Sequence, residues 1–203
     1  MSTTQTITTS TTTETTPQEL VTTIRCCSGC SSQQSDEQKH LHEKLMKRAI
    51  DLSKESCNDH GNHPFGALLI DNDTNEIILE AHNTVHTEND RTRHAELNLS
   101  SMASKKYPRD YLTNCTMYTS TEPCIMCAGA IFWVGIGKVV YACPASRLRE
   151  IVRRKQDGNN LKNSGSLTIA CREIFEERSE GLNIPLIGPI MEEEAAAVHE
   201  SYW

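Results

Sequence analysis

The residues best suited to chemistry are His94 and Glu96 in a His-Ala-Glu segment, and Cys124 and Cys127 in a Pro-Cys-Ile-Met-Cys segment. One imidazole and two thiolates make three zinc ligands, and a catalytic zinc site uses three protein ligands with the fourth position left to water. If Cys124 and Cys127 lie on a helix, their sulfur atoms emerge from one face because they are three positions apart. The pattern therefore predicts a catalytic zinc site.

Both motifs are expected at the N-termini of helices. His94 would open one helix, and Thr121 could cap the helix that carries the two cysteines. The partial positive charge at a helix N-terminus favours a thiolate over a thiol. Two helix N-termini would then converge on one metal ion.

Glu96 is the residue that a purely structural zinc site would not need. Zinc lowers the pKa of a coordinated water molecule to roughly 7. A carboxylate beside that water can accept its proton and return it to a leaving group. We therefore expect Glu96 to be the catalytic proton shuttle of a hydrolytic enzyme.

Together, the His-x-Glu and Pro-Cys-x-x-Cys motifs are the signature of zinc nucleobase deaminases. From about Ser35 to Ala142, the chain resembles the cytidine/deoxycytidylate deaminase-like superfamily. This resemblance implies an α/β fold in three layers, α/β/α, around a mixed five-stranded sheet. It also implies one catalytic Zn²⁺ per chain, hydrolytic release of ammonia from a heterocycle, and a homodimer.

Residues around the motifs indicate the substrate. The chain is similar to guanine and guanosine deaminases at Pro64–Ala67, at Asn83 and at Ala130–Trp133. The tRNA adenosine deaminases share Asn83 and both zinc motifs, but they typically lack Phe65 and a tryptophan at position 133. The resemblance favours a purine base or nucleoside, with guanine or guanosine preferred. The alternatives are a tRNA wobble adenosine deaminase, a cytosine or cytidine deaminase, and a non-catalytic, zinc-stabilised interaction subunit.

Three residues are candidate substrate contacts. Asn83 offers one acceptor and two donors to the edge of a base, while Phe65 and Trp133 offer apolar stacking surface. Each has a structural alternative, in which Asn83 holds its loop, Phe65 belongs to the core of the sheet and Trp133 packs between helices.

Arg91 and Arg93 stand where relatives often have proline and alanine. They would flank the rim of the pocket and could recruit a phosphate. The overall charge argues against a polyanionic partner, because 20 Lys+Arg against 27 Asp+Glu give a net charge of −7, whereas nucleic-acid binders are usually basic. A small-molecule base or nucleoside is therefore the expected partner, and tRNA is less favoured.

Residues 1–34 are rich in threonine and serine and are expected to form a disordered tail, followed by a deaminase domain over residues 35–203. The tail lacks the apolar stretch of a signal peptide, and the longest uncharged stretch, Cys124–Gly137, is too short to cross a bilayer. We expect a cytoplasmic protein with no membrane partner. Cys26, Cys27 and Cys30 could form half of a second zinc site, or they could be free thiols.

Hydrophobic periodicity predicts the elements that position these residues. A capping-box pattern at Ser35 and Gln38 places the start of the first helix at Ser35. The elements that follow are a hairpin over 65–70 and 76–81, a helix over 94–105, a strand over 116–119, a helix over 124–133, a strand over 138–142, a helix over 147–154, a polar loop over 158–165, an apolar segment over 184–190 and a helix over 192–202. At its end, Tyr202 and Trp203 either pack on the domain or a partner, or cap the substrate pocket.

Overall fold

The computed structural model describes residues 30–156, 168–176 and 183–203. Residues 1–29, with Cys26 and Cys27, and the predicted polar loop over 158–165 lie outside the described residues. The helices are α1 (Cys30–Asn58), α2 (Ala95–Lys106), α3 (Arg109–Leu112), α4 (Ile125–Val134), α5 (Ala145–Gln156), α6 (Cys171–Glu176) and α7 (Glu192–Tyr202). The strands are β1 (Gly66–Asp71), β2 (Ile77–His82), β3 (Cys115–Thr121), β4 (Lys138–Cys143) and β5 (Leu186–Ile187).

The five strands form one mixed sheet in the order β2-β1-β3-β4-β5. Strand β1 is antiparallel to both of its neighbours, whereas β3, β4 and β5 run parallel to one another. The predicted hairpin between β1 and β2 is present. Its turn is stabilised by Asp71, whose Oδ1 accepts hydrogen bonds from the backbone N–H groups of Asp73 (2.8 Å) and Thr74 (3.2 Å).

Alternate residues of the strands face two separate hydrophobic clusters, as the two-residue period of a strand requires. Ala67 and Leu69 point to one face, which we call the site face and which α2, α4 and α6 cover. Leu68 and Ile70 point to the other, the far face, which is covered by α1, α5 and α7. The predicted three-layer α/β/α architecture is confirmed.

Helix α1 begins at Cys30, so Ser35 lies inside the helix and does not cap it. The capping-box interpretation of Ser35 is therefore wrong. The apolar stripe of α1 is buried as expected, and it packs directly on β1. At Gly66, a Cβ atom would lie 2.5 Å from the carbonyl oxygen of Ala49 and 2.6 Å from Cβ of Leu52, so only glycine permits this close approach.

The short helices α3 and α6 were not predicted, since four to six residues are too few to show a helical period. The apolar segment over 184–190 contributes only the two residues of β5, and Val139 of β4 pairs with Leu186 there. Among the helices that the structure describes, none combines the length and apolar character needed to span a membrane.

Candidate active site

Two helix N-termini converge on the site, as the sequence predicted. His94 is the N-cap residue of α2, and Cys124 is the N-cap residue of α4. The expected cap by Thr121 is wrong, because Thr121 is the last residue of β3 and its Oγ1 lies 2.8 Å from Nε2 of His199. The parallel strand β3 thus ends directly before the cysteine motif, and this places the motif at the carboxyl edge of the sheet.

Three side chains are arranged to hold a metal ion. Nδ1 of His94 lies 3.6 Å from Sγ of Cys124 and 3.7 Å from Sγ of Cys127, and all three atoms lie within 4.8 Å of one another. Zinc bonds of about 2.3 Å to sulfur and 2.0–2.1 Å to nitrogen in a tetrahedron separate these atoms by about 3.6 Å. The donor set and its spacing fit zinc, with one coordination position left for a non-protein ligand.

The ionisation of the Cys124 thiol suits a metal site. Hydrogen bonds from Cys127 and His94 hold the pKa of Cys124 well below its ordinary value, against the opposing effect of burial. Cys124 is therefore a thiolate at neutral pH. The thiolate in turn raises the pKa of His94 through the contact between them. Because thiolates are the metal-binding form of cysteine, the pocket is electrostatically prepared for a cation.

Glu96 lies in the first turn of α2, directly beside the three donors. It is only 4% exposed, and its Oε2 lies 3.6 Å from Sγ of Cys127. Burial raises the pKa of its carboxyl group, and the nearby Cys124 thiolate raises it further. A carboxyl group in this position can accept a proton from one group bound in the cavity and donate it to another, which is the task of a general acid–base catalyst.

A cavity of about 360 Å³ opens above His94, Glu96 and Cys124, within the range of small-molecule sites. Its apolar wall consists of Phe65, Met126, Leu148, Ile169 and Ala170. The ring of Phe65 lies nearly parallel to that of His94, with centroids 6.5 Å apart and an interplanar angle of 6°. Phe65 is thus the one predicted substrate contact that the structure brings to the cavity.

Asn83 lies at the end of β2 and is buried. The side-chain Oδ1 accepts a hydrogen bond from the backbone N–H of Val85 (3.0 Å), and the backbone N–H of Asn83 donates to the carbonyl of Phe65 (3.0 Å). The side chain therefore holds the loop that leads toward Arg93, which is the alternative left open by the sequence. A contact between Asn83 and substrate stays a prediction.

Trp133 lies on α4 but points away from the cavity. Its side chain is 75% exposed, and its ring meets that of Phe132 edge-on with centroids 5.3 Å apart. Trp133 is not among the residues that line the cavity, and its contact with substrate stays a prediction. The helical position alone placed Trp133 near the cysteines, but it did not fix the direction of the indole.

Only one of the two arginines expected at the rim reaches the cavity. Arg93 forms ion pairs with Glu88 (3.0 Å) and Asp90 (3.2 Å) inside its own loop. Arg91 is exposed and lines the mouth of the cavity.

Sequence reasoning missed several residues of the cavity wall. Glu122 directly precedes the cysteine motif, and its carboxylate accepts hydrogen bonds from the backbone N–H of Ala145 (2.9 Å) and from the thiol of Cys171 (3.5 Å). Its position directly before Pro123 of the cysteine motif is the feature of the sequence that could have identified it as a cavity residue. Arg149 of α5 and Ile169 before α6 also line the cavity, and nothing local in the sequence marks them.

The C-terminal aromatic residues pack on the domain. Oη of Tyr202 lies 3.1 Å from Nδ1 of His63, and the indole of Trp203 stacks on the His63 ring with centroids 5.3 Å apart. Trp203 also packs against the far-face cluster. Neither residue is among those that line the cavity, so the structure favours docking over capping of the pocket.

Comparison with known families decides the class of this site. The family model for the cytidine and deoxycytidylate deaminase zinc-binding region matches residues 39–143, more than half of the chain. The chain belongs to this deaminase family. Its members are zinc-dependent hydrolytic enzymes, so the predicted zinc cofactor and the predicted class of enzyme are confirmed.

The curated relatives of this chain are named for different substrates. A probable cytosine deaminase from Schizosaccharomyces pombe is 34% identical over 78% of this chain and 90% of its own length. Guanine deaminase from Bacillus subtilis is 43% identical over 50% of this chain and 64% of its own length. A tRNA-specific adenosine deaminase from Haemophilus influenzae is 32% identical over 70% of this chain and 80% of its own length.

A solved structure of a guanine deaminase from Nitrosomonas europaea superposes with a TM-score of 0.61, covering 79% of this chain and 83% of that one at 20% identity. At this identity, the likeness shows the fold alone. It agrees with the predicted mixed five-stranded α/β architecture.

Proposed function

We propose that this deaminase removes ammonia hydrolytically from a purine base or nucleoside, with guanine or guanosine preferred. The observation that carries the proposed reaction is the buried Glu96 carboxyl, 3.6 Å from Cys127 in a three-donor zinc site. A non-catalytic interaction subunit would have no use for an ionisable group buried in this position.

The chemistry follows from the residues around the cavity. Zinc, when bound by His94, Cys124 and Cys127, supplies Lewis-acid activation of a water molecule. Glu96 accepts a proton from the attacking water as the new carbon–oxygen bond forms. The same carboxyl then donates that proton to the amino group, the carbon–nitrogen bond breaks, and ammonia leaves. Phe65 and Ile169 form apolar surface above these groups and exclude bulk water from the reacting atoms.

Two observations support guanine or guanosine. Phe65, which tRNA adenosine deaminases typically lack, lies at the cavity wall and can contact the face of a bicyclic ring. The 43% identity with guanine deaminase is the highest of the three relatives described above. Asn83 is the proposed partner for the edge of the base, and its amide is placed directly after β2 by the loop hydrogen bonds.

Cytosine is the second candidate substrate. The likeness to the Schizosaccharomyces pombe protein favours it, because that match spans 78% of this chain, including regions beyond the zinc motifs. The two candidates differ in ring size, so turnover distinguishes them directly.

The deciding experiment measures ammonia release from guanine, guanosine, adenosine, cytosine, cytidine and unmodified tRNA with the zinc-loaded full chain. We expect the highest kcat/KM with guanine or guanosine. A higher value with cytosine would establish the second candidate, and editing of tRNA without turnover of any free base or nucleoside would overturn the proposal. Glu96→Gln serves as the control for contaminating activity, because its ammonia release should fall by about 10²–10⁴.

The homodimer and the cytoplasmic location expected from the sequence are further parts of this proposal. The largely exposed Trp133 is consistent with a surface that a second copy covers. Light scattering of the purified chain tests the dimer, and we expect a mass twice that of one chain.

A further inference from the structure

Two arginines from distant parts of the chain line the active-site cavity. Arg91 belongs to the loop that precedes His94, and Arg149 belongs to α5. Both line the cavity that contains Glu96 and Cys124. Arg91 is exposed and Arg149 is half-buried, so both side chains of this cavity wall are accessible to solvent, and Arg149 also lines the neighbouring groove.

Among the described residues, neither of these two guanidinium groups forms an ion pair with a carboxylate, and the likewise unpaired Arg153 is exposed and lies outside the cavity. Arg93, Arg147 and Arg154 form ion pairs with Glu88, Glu150 and Glu200, respectively. Within the part of the chain that the structure describes, no carboxylate lies within 4 Å of Arg91 or Arg149. Leaving a half-buried guanidinium unpaired is unfavourable, so the arrangement is suited to an anionic partner.

The acidic groups of the cavity do not neutralise the arginines. Glu96 lies at its floor beside the metal donors. Both carboxylate oxygens of Glu122 are already used, by the backbone of Ala145 and the thiol of Cys171. The mouth of the cavity is therefore cationic, while its interior is largely apolar.

We propose that Arg91 and Arg149 bind the 5′-phosphate of a nucleoside monophosphate whose base enters the cavity. Arginine is well suited to this task, since its planar guanidinium donates two parallel hydrogen bonds to phosphate oxygens. This inference rests on the proposed function and deepens it, because it states that a phosphorylated nucleoside is preferred over the free one.

A single phosphate fits the structure better than an RNA backbone does. The chain carries a net charge of −7, whereas RNA-binding surfaces need several cations along the path of the strand. Arg153 lies four positions after Arg149 on α5, outside the cavity and in a neighbouring groove. A mononucleotide phosphate at the mouth would contact Arg149 but not Arg153, whereas a strand of RNA that runs along α5 would need both.

The test compares kcat/KM for guanosine monophosphate and guanosine in the parent and in the variants Arg91→Gln and Arg149→Gln. In the parent, we expect at least a tenfold preference for the monophosphate, expressed mainly in KM. Each variant should reduce that preference at least fivefold. Arg147→Gln is the matched control on the same helix, because Arg147 is paired with Glu150 and does not line the cavity.

Several results would overturn the inference. Equal kcat/KM for guanosine and its monophosphate in the parent would do so, as would a preference that survives in both arginine variants. If Arg153→Gln weakens binding of a tRNA anticodon stem-loop as strongly as Arg149→Gln does, and no mononucleotide is preferred, the arginines serve RNA.

Equilibrium binding separates this inference from the proposed function. If guanine, guanosine and guanosine monophosphate are all left unreacted, the proposed substrate is wrong. Calorimetric titration with the guanosine, adenosine and cytidine monophosphates and their nucleosides still tests the arginines in that case. A preference for the phosphorylated form of every base, lost in Arg91→Gln and Arg149→Gln, would support the phosphate site. No such preference for any base would exclude it. Inorganic phosphate should compete with the monophosphate in the parent.

Discussion

The floor and the mouth of the cavity are built in different ways. The floor consists of His94, Glu96, Cys124 and Cys127, and all four lie within three positions of the first residue of α2 or α4. The mouth is formed by side chains from a loop, from α5 and from the segment before α6. Short motifs at helix starts therefore fix the chemistry, whereas the surface that a substrate meets first depends on how distant segments pack together.

Removal of a metal donor from the floor of the cavity should have the largest effect on metal binding and activity. Cys127→Ser should lower the zinc content, measured by atomic absorption, at least tenfold below the parent value of one per chain, because three protein ligands are the minimum of a catalytic site. Ammonia release should fall to background. Cys57→Ser is the matched control, since Cys57 lies on α1 with its thiol donating to the carbonyl of Lys54. Full zinc content in Cys127→Ser would refute the ligand assignment.

Glu96→Gln should separate metal binding from proton transfer within the floor. We expect zinc to stay near one per chain while kcat falls by about 10²–10⁴, the usual contribution of a positioned acid–base group. Glu194→Gln, on the exposed side of α7, controls for the change in charge. Unaltered turnover in Glu96→Gln would contradict the proton-shuttle role.

Trp203→Ala tests whether the C-terminus belongs to the far face or to the mouth. Because Trp203 packs on His63 and the far-face cluster, its loss should lower the free energy of unfolding by about 1–3 kcal/mol, seen as a lower midpoint in urea. The value of kcat/KM should stay within twofold of the parent. A tenfold loss of kcat/KM without loss of stability would instead support a cap over the pocket.

Trp133→Ala should have the smallest effect and provides the comparison for Trp203. The indole is largely exposed in a single chain, so we expect the free energy of unfolding of the monomer to change by less than about 0.5 kcal/mol and kcat/KM by less than twofold. A tenfold loss of kcat/KM would show that Trp133 reaches substrate, across an interface between copies of the chain.

The sequence was sufficient for the floor and for the layers that support it. Metal ligands must be of particular types at particular spacings, and the two-residue period of β1 and the helical period of α1 are local properties. The sequence was not sufficient for the mouth. Nothing near Arg149 indicates that α5 packs beside the cavity, and only the tertiary structure shows that Arg93 is paired while Arg91 is not. The sequence also did not predict the orientation of side chains on a helix, since Trp133 of α4 is largely exposed to solvent.

His199 of α7 makes the domain sensitive to acid. Its imidazole is 1% exposed and contacts Thr121 at the end of β3, and burial lowers its pKa to about 4. Since an unfolded histidine titrates near 6.5, the unfolded chain binds more protons than the folded one between these two values. The stability linked to His199 is therefore complete above pH 6.5 and declines as the pH falls toward 4. Unfolding in urea across this range should show the decline, and His199→Gln should lessen it. Acidification should thus lower the stability of the domain through a group on the last helix that contacts the strand ending directly before the cysteine motif.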